Sequence, residues 1–148
     1  LFNLTSGFSA YETLSGNNSD RYQYVFPYYN FSKTITAEKL NGNLDLFSSG
    51  DNKLSNTNNL SSRIINDINY KSFDWISNYG VKNNFNVYFK NVNRSAKNDT
   101  IYTNSLQVDG KSLFEIASSL PLTKSNQNTK EVLTPKLSLR LSESVATL

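Results

Sequence analysis

Apolar and polar residues alternate with a period of two along most of this chain, and that regularity constrains its fold more than any other feature. A β-strand sends successive side chains to opposite faces, whereas a helix returns to the same face after about 3.6 residues. Phe2, Leu4, Phe8 and Ala10 fall on one face of a first segment, against Asn3, Thr5 and Ser9. Tyr22, Tyr24, Phe26 and Tyr28 share a face in the next. Leu40, Gly42, Leu44 and Leu46 alternate with Asn41, Asn43 and Asp45. Ile64, Asn66, Ile68 and Tyr70 oppose Arg63, Asp67, Asn69 and Lys71, and Phe85, Val87 and Phe89 oppose Asn84, Asn86, Tyr88 and Lys90. Phe114, Ile116 and Leu120 alternate with Glu115 and Ser119, and Leu137, Leu139 and Leu141 with Ser138, Arg140 and Ser142.

Clusters of Ser, Asn, Asp, Gly and Thr separate these segments and predict turns at 15–20, 48–52, 56–59, 77–80, 93–98 and 125–129. The expectation is about seven or eight strands of roughly 9 to 14 residues, without a helix. Ordinary strands are about 5–6 residues long, and a strand that crosses a bilayer at a tilt needs about 9–11. The predicted class is all-β, an antiparallel up-and-down meander over one segment, 1–148, and the alternation alone leaves open part of a large transmembrane β-barrel or a soluble sandwich. In a soluble sandwich the apolar face meets a core. In a barrel wall it meets lipid, and the polar face meets a wet lumen. Strand length, the Asn, Ser and charge of the polar faces, and aromatics near strand ends favour the barrel. Tyr22, Tyr24, Tyr28, Tyr29, Tyr70, Trp75, Tyr79 and Tyr102 suit interfacial belts.

The residue types present exclude much chemistry. The chain has no His and no Cys, which removes disulfides, thiolate nucleophiles, Ser-His-Asp triads and the usual zinc sites. No run of about 18 apolar residues offers a transmembrane helix. A net charge of +3 is spread along the chain, unlike the clustered footprint of a nucleic-acid binder. The chain lacks Met and opens as if inside a strand, which predicts an internal or processed segment.

Four short motifs, in order, resemble the LptD family of lipopolysaccharide-assembly proteins, once called organic solvent tolerance proteins. They are "RYQYVFPYYNFS" with Pro27, "SSRIINDINYKSFDWISNYGVKNNFNVYFKNVNRS" with Arg63 and Gly80, "SLFEIASSLPLT" with Pro121, and "EVLTPKLSLRLS" with Pro135. The similarity spans about residues 20–143 and rests on order and spacing, since no single motif is specific. Many members carry an arginine where Ser112-Leu113-Phe114 stands here.

The resemblance implies a piece of barrel wall in the bacterial outer membrane, contacting outer-membrane lipid and moving lipopolysaccharide to the outer leaflet. It implies an LptE-like lipoprotein plug and periplasmic bridge proteins that dock on an N-terminal domain outside these residues. Pro27, Arg63, Gly80, Pro121 and Pro135 are structural motif positions. The expectation is no enzyme, no cofactor, no metal and no nucleic acid. The alternatives are a soluble β-sandwich that binds carbohydrate or mediates adhesion, and a porin-like outer-membrane protein.

Single features divide between sharp and plain readings. Pro27 suits a bulge or strand end better than a gate. Arg63, Lys71, Lys90, Arg94 and Arg140 suit a solvated polar face, and secondarily contact with lipopolysaccharide phosphates or sugars. Asp45, Asp51, Asp67 and Asp74 lack the spacing of a calcium loop or a glycosidase pair. Tyr88-Phe89-Lys90 is a stacking platform only in name, because the charge around it is diffuse.

Overall fold

The computed structural model describes residues 2–14, 22–37, 39, 41–55, 58–99, 104–126 and 128–146. Ten strands follow in order: β1 (Phe2–Glu12), β2 (Tyr22–Ala37), β3 (Gly42–Ser55), β4 (Asn59–Ser72), β5 (Trp75–Ile76), β6 (Lys82–Lys97), β7 (Gln107–Ser119), β8 (Leu122–Ser125), β9 (Lys130–Leu133) and β10 (Lys136–Ala146). Seven are long, between 11 and 16 residues. They form one sheet in the order β1-β2-β3-β4-β6-β7-β10, every neighbouring pair antiparallel, with β5 pairing on β6. The class expected from the alternation, an all-β antiparallel meander, is the one found.

β8 and β9 form a separate hairpin between β7 and β10, closed by Asn126 N–H donating to Thr129 O at 2.8 Å. The turn expected at 125–129 is this hairpin's tip. The turn expected at 77–80 is also present, with Gly80 at φ 78° and its N–H donating to Ser77 O at 2.9 Å. Only glycine takes that left-handed conformation without steric cost. Asn98, at φ 57°, ends β6, and its Nδ2 donates to Asn58 O at 3.1 Å, which ties two turns at one end of the sheet.

Several local expectations give way to pairing. Positions 48–52 are read as a turn, yet β3 runs straight through them. Positions 93–98 are read as a loop, yet β6 continues to Lys97. In both places short polar side chains that favour turns in isolation find cross-strand partners instead. Ser48 Oγ donates to Asn66 Oδ1 at 2.7 Å, Ser62 Oγ to Asn52 Oδ1 at 2.6 Å, and Arg94 Nη2 to Asp109 Oδ2 at 2.8 Å. Leu120 lies just past the end of β7 rather than within it. The expected features at Leu40, Tyr102, 15–20 and 56–57 lie outside the described residues.

Pro27 sits in a β-bulge. Register against β1 shifts between Gly7 and Ser9, and register against β3 shifts between Val25 and Tyr28, so Phe26 and Pro27 together oppose one residue on each side. The extra residue reverses the alternation of β2. Tyr22, Tyr24 and Phe26 keep company with Tyr29 and Phe31, whereas Tyr28 pairs with Gly7 on the other face. Placing Tyr28 with Tyr22, Tyr24 and Phe26 is therefore corrected by the bulge.

Candidate functional site

Cross-strand partners share a face, so the registers sort the sheet into two surfaces. One carries Phe2, Leu4, Phe8 and Ala10 of β1, Tyr24, Phe26, Tyr29 and Phe31 of β2, and Leu44 and Leu46 of β3. It continues with Ile64, Ile68 and Tyr70 of β4, Phe85, Val87 and Phe89 of β6, Phe114 and Ile116 of β7, and Leu137, Leu139 and Leu141 of β10. No second layer covers this surface among the described residues. Phe8 is 71% exposed and Leu137 77%, and among the described residues the one buried apolar side chain, Ala96, lies on the other surface. A single sheet normally hides such a face against another layer.

Aromatic rings gather toward both ends of the strands on this apolar surface. Tyr22 stacks on Tyr24 at 6.4 Å between centroids and Phe8 meets Phe26 edge-on at 6.3 Å. At the opposite end Phe85 lies 5.4 Å from Tyr70, 6.2 Å from Trp75 and 6.2 Å from Phe114. The apolar band also drifts along the strands. Its centre in β1, near Ser6, is level through successive partners with Asn93 of β6. Its centre in β10, Leu139, is level with Phe85.

A polar thread crosses the same surface. Tyr29 Oη lies 3.1 Å from Ser48 Oγ, Ser48 donates to Asn66, Asn66 Nδ2 donates to Asn91 Oδ1 at 3.3 Å, and Asn93 Nδ2 donates to Asn91 Oδ1 at 2.6 Å. Each polar group is matched by the next, which lowers the cost of holding it among apolar neighbours. Beside the thread a cavity of about 170 Å³ opens between Tyr29, Gly50, Ile64, Asn93 and Leu106.

The other surface is polar and laced with charge. Arg63 Nη2 pairs with Asp51 at 3.0 Å, Lys90 Nζ with Asp67 at 3.3 Å and Arg94 Nη2 with Asp109 at 2.8 Å, while Arg140 Nε pairs with Glu115. Each joins adjacent long strands. Four of the five basic residues singled out in the sequence are thus ion-paired across the sheet. Lys71 has no ion pair among the described residues.

The four acidic candidates are not brought together. Asp45 accepts from Thr34 Oγ1 at 2.6 Å, Asp51 from Arg63 and Asp67 from Lys90. Asp74, between β4 and β5, accepts from Lys82 Nζ and Asn84 Nδ2, both at 2.8 Å. The hydrogen bond from Lys82, then that from Asn84, hold its carboxyl below the ordinary value. Among the described residues no three His, Cys, Asp or Glu side chains form a metal-binding group.

Of the motif positions, Pro27 and Arg63 both line the cavity beside Tyr29. Pro121 and Pro135 flank the β8–β9 hairpin, at whose base Leu120 N–H donates to Pro135 O at 3.1 Å. Gly80 stands apart in its turn. Lys111 escaped the sequence reading altogether. The alternation of β7 is legible only from Phe114 onward, because Gly110 and Ser112 stand where apolar residues would mark the strand's beginning.

Comparison with protein-family models, curated proteins and solved structures finds no match.

Proposed function

We propose that this sheet is part of the wall of a transmembrane β-barrel, with its apolar surface toward lipid and its charged surface toward a wet lumen. The observation that carries the reading is a single layer of long antiparallel strands whose largely apolar surface has no protein cover among the described residues. Two aromatic groups at opposite strand ends suit the girdles of such a wall. The drift of the apolar band supports it independently. At about 3.3 Å per residue and about 4.8 Å per strand, the band runs about 40° off the line perpendicular to the strands. Strands in membrane barrels tilt by about 35–45°, so a band level with a bilayer drifts by this amount. The edges of β1 and β10 are where further strands would continue the wall.

On the four motifs around Pro27, Arg63 and Gly80, Pro121 and Pro135, we assign the barrel to outer-membrane lipopolysaccharide export, with an LptE-like lipoprotein as its plug. The charged lumenal surface suits passage of sugars and phosphates, and the chain uses no covalent chemistry of its own. In cells depleted of the full-length protein, surface lipopolysaccharide, read with an impermeant label, falls while its synthesis continues. A small lipoprotein co-purifies with the full-length protein. Undiminished surface lipopolysaccharide after depletion rejects this cargo and leaves a porin-like wall.

The polar thread from Tyr29 to Asn93 favours a second reading, a soluble sandwich whose missing sheet covers the apolar surface. Exposure to lipid separates the two.

A further inference from the structure

We propose that Lys90 and Lys111 form a binding site for the phosphate group of a phosphorylated saccharide. The two lysines are direct partners across the β6–β7 pair, on the polar surface. Like charges placed directly opposite in a sheet repel. Elsewhere on this surface Arg63 is matched with Asp51, Arg94 with Asp109 and Arg140 with Glu115, and Lys71, which has no ion pair among the described residues, faces Asn86 rather than a second cation. Here one carboxylate serves two lysines. Asp67 takes Lys90, and Lys111 has no ion pair among the described residues. The Lys90 side chain is 51% exposed, so its bond to Asp67 is weak and easily exchanged.

The pair borders a recess of about 610 Å³ on the polar surface, whose lining also includes Asn69, Tyr88, Leu113 and Ser142 together with the carboxylate residues Asp67 and Glu143. Two ammonium groups side by side suit a phosphate monoester, which carries about two negative charges near neutral pH. The remainder of the recess suits a sugar. Tyr88 and Leu113, partners beside the lysines, offer an apolar floor for a ring. The Asn69 amide oxygen is buried without a hydrogen-bond partner among the described residues, and an unmatched acceptor of this kind is costly. A modest turn of the amide directs it to a ligand hydroxyl in the recess. The site stands on the polar surface alone and holds whether that surface faces a lumen or bulk water.

Calorimetric titration of the full-length protein at low salt, with glucose 1-phosphate, inorganic phosphate and glucose, tests it. Glucose 1-phosphate binds most tightly, inorganic phosphate more weakly and glucose least. Lys111→Gln weakens glucose 1-phosphate about tenfold, the order of one charge-assisted hydrogen bond. Lys124→Gln, on the β8–β9 hairpin, changes nothing. Asn69→Ser weakens glucose 1-phosphate and leaves inorganic phosphate unchanged. Lys111→Glu abolishes binding and raises the melting temperature, because it replaces a repulsion with an ion pair to Lys90, so loss of binding cannot be unfolding. Equal binding by wild type and Lys111→Gln, or glucose binding as well as its phosphate, overturns the proposal.

Discussion

Glycine and tyrosine meet three times in this sheet, and each meeting explains why a strand tolerates a glycine. A Cβ on Gly50 would lie 2.4 Å from Tyr29 Cε1, one on Gly42 2.6 Å from the Tyr70 hydroxyl, and one on Gly7 2.9 Å from the Tyr28 hydroxyl. The tyrosine ring lies over the bare backbone and restores the packing a side chain would have supplied, a known rescue for strand glycines. At Gly50 the arrangement also aims the Tyr29 hydroxyl at Ser48. Gly50→Ala therefore displaces the ring and costs about 1–3 kcal/mol in chemical denaturation. Gly110→Ala, where the nearest atom is 4.0 Å away, is tolerated. In a double-mutant cycle Tyr29→Ala and Gly50→Ala are strongly non-additive, and additive effects would disprove the ring's role. None of this is legible locally. Ser48-Ser49-Gly50-Asp51-Asn52 has the composition of a turn, and only residues 10 or more positions away in sequence, on β2 and β4, hold it extended.

At the scale of elements, the alternation of β4, β6 and β10 is legible because each keeps a strict period of two. β2 is not, since its bulge at Phe26 and Pro27 breaks the period and sends Tyr28 to the polar surface. The proline that marks the bulge is visible in the sequence, but the reversal of faces is set by the neighbouring strands. The connection from β4 to β6 carries a pH signature. Asp74 is held ionised by Lys82 and Asn84, so its folded value lies below its unfolded one. Its contribution is complete above the ordinary carboxylate range and is lost as pH falls through the lowered value. It is small, because the group is exposed. Trp75, the one tryptophan of these 148 residues, sits beside it as a reporter. Acidification changes Trp75 fluorescence with a midpoint below the ordinary carboxylate range, and Asp74→Asn removes that transition. An unchanged titration in the variant contradicts the assignment.

For the whole molecule, the two surfaces were legible from alternation, and their use was not. A sandwich and a barrel wall impose the same period of two, and the proposed wall is supported by the bare apolar face around Leu137 and Phe8 among the described residues, together with the drift of the apolar band. The polar surface was legible as polar, yet the unmatched Lys111 emerges only from strand register. The central claim is that the apolar surface meets lipid. Phe89 and Tyr88 are adjacent in β6 and point to opposite surfaces, so they make the sharpest comparison. The measurement is fluorescence of Phe89→Trp and Tyr88→Trp, each in the full-length protein with Trp75→Phe, reconstituted in vesicles whose lipids carry bromine on the acyl chains. Tryptophan at 89 is strongly quenched and tryptophan at 88 is not. Equal quenching at the two positions, or none at 89, would contradict the account.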